Sequence, residues 1–367
     1  MPITEVMRLT PVRRAAGATL ARDIPAPIPG AMPVLRSGAV LTEAYQTALT
    51  NLGINAVWIQ DELSEGIEPN ELVPPHLREE AARIVSGALG EARDGLERGR
   101  GLSGATAAEL KGLVRRLSES VAASPSTALV LADLAAADAF THQHSIDVCA
   151  LGLLIGRRLF ERRGWQDFRG RRRRDDVEGR LLKLGLGLLL HDVGKLAVPA
   201  AVLGKADELT ASERAAVRTH PDAGAELLDT PSFSPLVRAI VREHHESWDG
   251  SGYPRRLAGT QINELARICA VADVYDAVTS QRPDRPARSA AFGLAVILDG
   301  AGKVFDPEIV AVFRRLVSPF PVGSEVTLSD GTVGVVADVP PDRPACPVVR
   351  LPRAGGGYVE HRVALAA

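Results

Sequence analysis

Eight histidines occur among the 367 residues, and six of them fall between positions 142 and 245. Imidazole nitrogens and carboxylates are the donors that hold many divalent ions, so their arrangement carries the first chemical information. The run His191-Asp192-Val193-Gly194-Lys195 follows the nearly apolar stretch from Leu181 to Leu190, which carries only Lys183. An adjacent His and Asp can close on one divalent ion while the second carboxylate oxygen stays free to reach another. Lys195 stands four residues from His191 and three from Asp192, so a helical turn would place its cation on their face. Alone, the pair would read as a structural salt bridge. It is accompanied by His144 at the start of the helical stretch Ser145 to Leu159, His220 in Thr219-His220-Pro221, adjacent His244 and His245, and Asp273 within Ala270 to Val274. Each lies beside apolar helical sequence that would carry it inward. Burying so many polar groups without partners would cost about 1–3 kcal/mol apiece, which makes a shared metal centre the economical reading.

The paired histidines run into Trp248-Asp249-Gly250-Ser251-Gly252-Tyr253-Pro254, whose glycines and proline predict a tight loop beside the site. In order, the chain therefore carries His144, then His191-Asp192-x-Gly194-Lys195, then His220, then His244-His245-Glu246-x-x-Asp249-Gly250-x-Gly252-Tyr253-Pro254, then Asp273. This pattern resembles the HD-GYP domains, a subgroup of the HD phosphohydrolase superfamily that degrades cyclic di-GMP. The resemblance implies an all-helical HD-type domain with two divalent ions, iron or manganese. It assigns His144, His191, Asp192 and Asp273 to one ion, and His220, His244 and His245 to the other, with Asp192 bridging. It gives Asp192 and Lys195 catalytic roles, and makes Lys195, Tyr253, Asp276, Arg282 and Arg285 contacts to the nucleotide or its phosphates. Glu246 and Asp249 would orient the paired histidines. Phe140 stands where members with a third metal have a Glu, so two ions are expected.

The implied reaction is two-metal hydrolysis of cyclic di-GMP to linear pGpG, and a second cut would give GMP. Two divalent ions outweigh two carboxylates and, with Lys195, Arg282 and Arg285, attract an anionic substrate. The chain departs from the family pattern at Asp284, where Tyr is usual, at Arg256, where Gly is usual, and at Asn263, where Pro is usual. These departures leave two other readings open: a weakly catalytic cyclic di-GMP receptor or adaptor, and a hydrolase of another cyclic dinucleotide. GGDEF-type cyclases and a second copy of the chain are further partners in keeping with the resemblance.

The rest of the chain must position these groups. The fold is expected to be mainly α, with an N-terminal α+β accessory module over 1–72, a helical linker over 73–123, a catalytic block over 124–317 and a small β-barrel-like module over 318–367. Thr42 to Leu52 predicts a helix and Ala56 to Gln60 a short strand. Leu77 to Ala122 is helical in pattern, broken at Gly99-Arg100-Gly101-Leu102-Ser103-Gly104. That break matches a dinucleotide-binding fingerprint, but the residues before it look helical, so an interhelical loop is predicted. Five arginines between Arg169 and Arg174 read as a solvated loop rather than a phosphate patch. Glu325 to Leu328 and Thr332 to Ala337, separated by Ser329-Asp330-Gly331, predict a hairpin, with further strands near Val348 to Leu351 and Tyr358 to His361.

Composition sets outer bounds. Forty-three basic against forty-five acidic residues, a net charge of −2, exclude a grossly basic nucleic-acid binder, so no DNA or RNA duplex is expected as a partner. Cys149, Cys269 and Cys346 form no metal-like pair and read as reduced thiols in a cytoplasmic protein, with Cys149 and Cys269 packed in the core. No run is long and apolar enough to span a bilayer, and Arg8, Arg13 and Arg14 break the first apolar stretch, which predicts no signal peptide. His142 lies two residues before His144, on the opposite side of a helix, and is expected away from the ions. His76 and His361 fall in the outer regions.

Overall fold

The computed structural model describes residues 7–24, 32–52, 54, 56–68, 71–124, 140–167, 169–205, 208–280, 287–340 and 343–364, with 140–142 described as backbone. The N-terminal part forms strands β1 (Arg8–Pro11) and β2 (Thr19–Leu20), helix α1 (Glu43–Asn51) and strand β3 (Ala56–Gln60). β3 lies between β1 and β2, antiparallel to both. Thr42 caps α1 by accepting the Tyr45 N–H, and Leu20, Ile24, Leu41, Leu49, Val57 and Ile59 close a small core.

Two long helices follow, α2 (Pro75–Arg98) and α3 (Gly104–Ala123). Gly99 ends α2 at φ +62°, a conformation that glycine takes without penalty, and Ser103 caps α3 through the Thr106 N–H. The fingerprint-like run is therefore a helix–helix connection.

The helical block contains α4 (Phe140–Arg163), a two-residue ribbon of β4 (Trp165–Gln166) and β5 (Arg172–Arg173), and α5 (Val177–Leu190). It continues through α6 (Ala200–Leu203), α7 (Ala211–Val217), α8 (His220–Leu227), α9 (Pro235–Glu243), α10 (Glu264–Thr279), α11 (Ala290–Asp299) and α12 (Pro307–Leu316). Every residue of α5 from Leu184 to Leu190 is buried, as expected of a helix that is apolar all round. It touches α3, α4 and α9 at once. Close approach needs missing side chains: a Cβ at Gly152 of α4 would sit 2.5 Å from Leu188 Cδ1. The arginine run is ion-paired rather than merely solvated: Arg172 meets Glu264 at 2.5 Å and Glu308 at 2.7 Å, and Arg173 meets Asp175 at 2.9 Å.

The C-terminal part is an antiparallel sheet of β6 (Glu325–Thr327), β7 (Val333–Asp338), β8 (Val348–Pro352) and β9 (Tyr358–Arg362), in that spatial order. Its first turn closes as expected, with Gly331 at φ +86° and Asp330 accepting the Thr332 N–H. The two chain ends meet. Leu9 donates its N–H to the Gly323 carbonyl at 2.8 Å and bridges Ser324, while Ile67 joins the core of the C-terminal sheet. Glu325, largely buried, accepts from Arg8 at 3.0 Å, from Thr10 at 2.7 Å and from Arg14. Among the described residues, no helix is long and apolar enough to cross a membrane.

Glu325→Ala strands three donors at this junction. The expected result is a stability loss of about 1–3 kcal/mol in thermal unfolding, with faster amide exchange in both 8–11 and 325–327. Unchanged exchange at 8–11 would contradict the coupling.

Candidate metal centre

Three helix ends aim three histidines at one point. His191 follows α5, His244 follows α9, and His220 lies between the end of α7 and the body of α8. At each place the backbone carbonyl three residues earlier receives the ring: His191 Nδ1 to Leu188, His220 Nδ1 to Val217 and His244 Nδ1 to Val241, all at 2.8 Å. These carbonyls are acceptors that helix termini leave free. The bond sets the tautomer, because a ring that donates from Nδ1 presents a lone pair at Nε2. His144 on α4 is held differently, by the Asp276 carboxylate 2.5 Å from Nδ1, and its Nε2 lies 3.3 Å from Asp273 Oδ1. Asp273 and Asp276 are one helical turn apart on α10, so one helix grips both nitrogens of this ring. Gly194 is required by contact: a Cβ there would collide with the His220 carbonyl oxygen, separating the two turns that carry His191 and His220.

The aimed atoms fall into two donor groups that share Asp192. One contains Asp192, His220, His244 and His245, the other His144, His191 and Asp192, with the ligand atoms of each within 4.8 Å of one another. Asp192 Oδ1 lies 3.3 Å from His220 Nε2 and 3.8 Å from His244 Nε2, whereas Oδ2 lies 3.3 Å from His191 Nε2 and 3.9 Å from His144 Nε2. Asp273 borders the second group, 4.0 Å from His191 Nε2.

This arrangement is unsatisfied without cations. His191 Nε2 and Asp192 Oδ1 are buried with no hydrogen-bond partner. His220 Nε2 and His244 Nε2 face each other at 3.3 Å, and both are lone-pair acceptors once their Nδ1 atoms donate to carbonyls. Two acceptors in that geometry repel unless positive charge lies nearby. The titration behaviour agrees with ligation. Burial lowers His220, takes His245 down to about 4, and, with the neighbouring imidazoles, holds His244 well below its ordinary value. These three rings are therefore neutral at pH 7, the form that binds metal. Burial would raise the Asp192 carboxyl, but Lys195 and His191 outweigh it and hold it well below the usual carboxylate range. At His144 burial opposes the proton, yet Asp273 and Asp276 push the ring up to about 10, a charge that a divalent ion at Nε2 would replace. The donor set thus fits divalent cations.

The other expected site residues are distributed unevenly. Lys195 Nζ donates to Asp192 Oδ2 at 2.5 Å, from the 3₁₀ turn Val193–Ala197 rather than an α-helical turn, and its side chain is 38% exposed. Tyr253 stacks on His245 at 4.8 Å. Asp276 corrects the expectation of a nucleotide contact: it is fully buried behind His144, and its other oxygen accepts from the Ser280 hydroxyl at 2.8 Å. Glu246 is buried but serves the loop instead of an imidazole, accepting the N–H groups of Arg255 at 2.7 Å and Leu257 at 2.9 Å. Asp249 is exposed and accepts from Ser251 of its own turn, including its N–H at 2.9 Å. Neither carboxylate touches the paired histidines among the described contacts. Arg282, Asp284 and Arg285 lie outside the described residues, as do the side chains of Phe140 and His142. Two features escaped the sequence reading. One is the set of carbonyls that orient the rings, for which the only sequence signal is an apolar residue three places before each His. The other is Arg218, whose guanidinium lies 5.0 Å above the Tyr253 ring.

Residues 171–309 match a family model described as an HD domain. Three curated relatives are similar over part of the chain. A cyclic di-GMP phosphodiesterase of Pseudomonas aeruginosa is 40% identical over 62% of this chain and 51% of its own length. The cyclic di-GMP phosphodiesterase response regulator RpfG of Xanthomonas campestris is 43% identical over 34% of each chain. A 3′3′-cGAMP-specific phosphodiesterase of Vibrio cholerae is 35% identical over 36% of this chain and 29% of its own. Residues 171–309 are thus an HD domain, and the chain is similar to cyclic dinucleotide phosphodiesterases. It spans about half the length of the first relative and about a third of the others. An HD domain implies divalent metal binding, and the two donor groups around Asp192 can hold metals.

Asp276→Asn tests the reassignment. Manganese titration by calorimetry is expected to show affinity about 10–100-fold weaker, because the carboxylate that orients His144 is lost. Unchanged metal affinity would return Asp276 to some other role.

Proposed function

We propose that this chain is a dimetal-dependent phosphodiesterase of HD-GYP type that hydrolyses cyclic di-GMP to linear pGpG; a second cut would give GMP. The observation that carries the reading is the division of the Asp192 oxygens between two histidine groups, Oδ1 toward His220 and His244, Oδ2 toward His191 and His144. One carboxylate shared in this way is what a pair of adjacent ions requires. The printed functions of the Pseudomonas and Xanthomonas relatives support the same substrate. The donors are imidazole and carboxylate; Cys149 and Cys269 are buried in the apolar core and belong to neither donor group. Together with the resemblance, this supports iron or manganese.

Two divalent ions bound there would supply a water of lowered pKa and charge stabilisation of the phosphate oxygens. The chain's own groups do the rest. Lys195 is the cation that pairs with Asp192 yet keeps partial access to solvent, so its Nζ can stabilise charge on, or give a proton to, the leaving 3′ oxygen. Burial raises the Tyr253 phenol, which therefore stays protonated and can donate its O–H to a phosphate oxygen. Glu246 holds the loop on either side of Arg256, and Glu243 accepts the Asn263 N–H at 2.8 Å, so Tyr253 is presented from a braced segment.

A second reading, hydrolysis of another cyclic dinucleotide, draws on the Vibrio relative and on Arg256. This residue adopts φ +55° where the family pattern has Gly, a left-handed conformation unusual for an arginine, beside the loop that carries Tyr253.

The test is anaerobic purification, metal quantification and chromatography of cyclic di-GMP incubations. Wild type is expected to yield pGpG, and Lys195→Ala to lose about 10²–10⁴-fold in kcat with its metals retained. Absence of cleavage with two metals bound would sink the proposal. Much faster cleavage of 3′3′-cGAMP would favour the second reading.

A further inference from the structure

A cyclic dinucleotide presents two phosphodiesters across one macrocycle. When one of them occupies the metal centre, the other must rest on a different cation or remain solvated. Lys195 is committed to Asp192 at the centre itself. Other cations of the helical block are engaged: Arg242 with Asp222 at 3.0 Å, Arg255 with Glu243 at 3.5 Å and Lys205 with Glu213 at 2.8 Å. Arg218 differs. It is exposed, and among the described residues its guanidinium has no carboxylate partner. Its Cζ lies 5.0 Å above the Tyr253 ring, and that ring also stacks on His245 at 4.8 Å, with a 29° angle between the planes. The Tyr253 ring thus contacts both an exposed guanidinium and an imidazole of the candidate metal centre.

The position of this arginine is coupled to the centre through the backbone. The turn that carries it also supplies the Val217 carbonyl that receives the His220 ring, so Arg218 and a candidate ligand share one short fixed segment. A guanidinium resting on an aromatic face keeps its edge N–H groups free, and those groups match the paired oxygens of a phosphate. It is also partly ordered before a ligand arrives, so less side-chain freedom is lost on binding.

We propose that Arg218 binds the phosphodiester of the cyclic dinucleotide that is not being cleaved. The inference rests on the proposed function, and it makes Arg218 a determinant of preference for dinucleotides over substrates with one phosphate. The alternative role, packing that merely steadies Tyr253, would affect both kinds of ligand alike.

The experiment measures binding in the slow-turnover Lys195→Ala protein loaded with manganese. Dissociation constants for cyclic di-GMP, 3′3′-cGAMP and GMP are compared with and without Arg218→Met, which keeps an apolar stem over Tyr253 and removes the charge. Weakening of about 10–100-fold for a cyclic dinucleotide, against less than about 3-fold for GMP, supports the inference, as does partial recovery with Arg218→Lys. Equal weakening for all three ligands assigns Arg218 to packing and overturns it. Unchanged affinities, or no binding of either cyclic dinucleotide before Arg218 is altered, also overturn it. Failure of the proposed function would show separately, as absence of turnover in the protein with Lys195 intact.

Discussion

Asp192 has two carboxylate oxygens, and four imidazole nitrogens and an ammonium compete for them. One oxygen serves the side of the site built by α8 and α9, the other the side built by α4 and the end of α5. The arrangement holds only if each imidazole keeps its lone pair pointed inward, and the protein arranges this from behind. Three rings donate to carbonyls left over at helix ends; the fourth is held by Asp276. Helix termination, normally a backbone problem solved by caps or water, here becomes the device that fixes side-chain tautomers. The apolar α5 matters for the same reason. Burial of every residue from Leu184 to Leu190 fixes where its last carbonyls and His191 come to rest.

Much of this was legible in the sequence because metal donors are rare, polar and placed next to apolar stretches. His144, His191, Asp192, His220, His244, His245 and Asp273 converge, and elsewhere the break at Gly99 falls between two helices as its glycines suggest. What stayed hidden depends on direction and on long-range contact. Asp273 and Asp276 are equivalent by spacing along a helix, and only the packing of α10 against α4 places one beside the centre and the other behind His144. Glu246 and Asp249 sit in one loop of the same composition, yet one is buried and ties the loop to itself, while the other faces water.

The ends of the chain illustrate the same limit. A local reading divides them into two modules because nothing in residues 8–14 signals Glu325. In the fold, Arg8, Thr10 and Arg14 converge on that single buried carboxylate. Sequence separation conceals such contacts because neither partner is unusual alone. Arg218 was hidden in another way: an arginine at a helix end is ordinary until the Tyr253 loop folds over beneath it.

The account stands on Asp192 as the one residue common to two ions, and metal stoichiometry addresses that most directly. Metal content is to be measured by mass spectrometry for the wild type, Asp192→Ala and His245→Ala, with folding checked by circular dichroism. Two ions per chain in the wild type, about one in His245→Ala and close to none in Asp192→Ala is the predicted series. An Asp192→Ala protein that is folded and still holds two ions would contradict the shared carboxylate and the dimetal chemistry built on it.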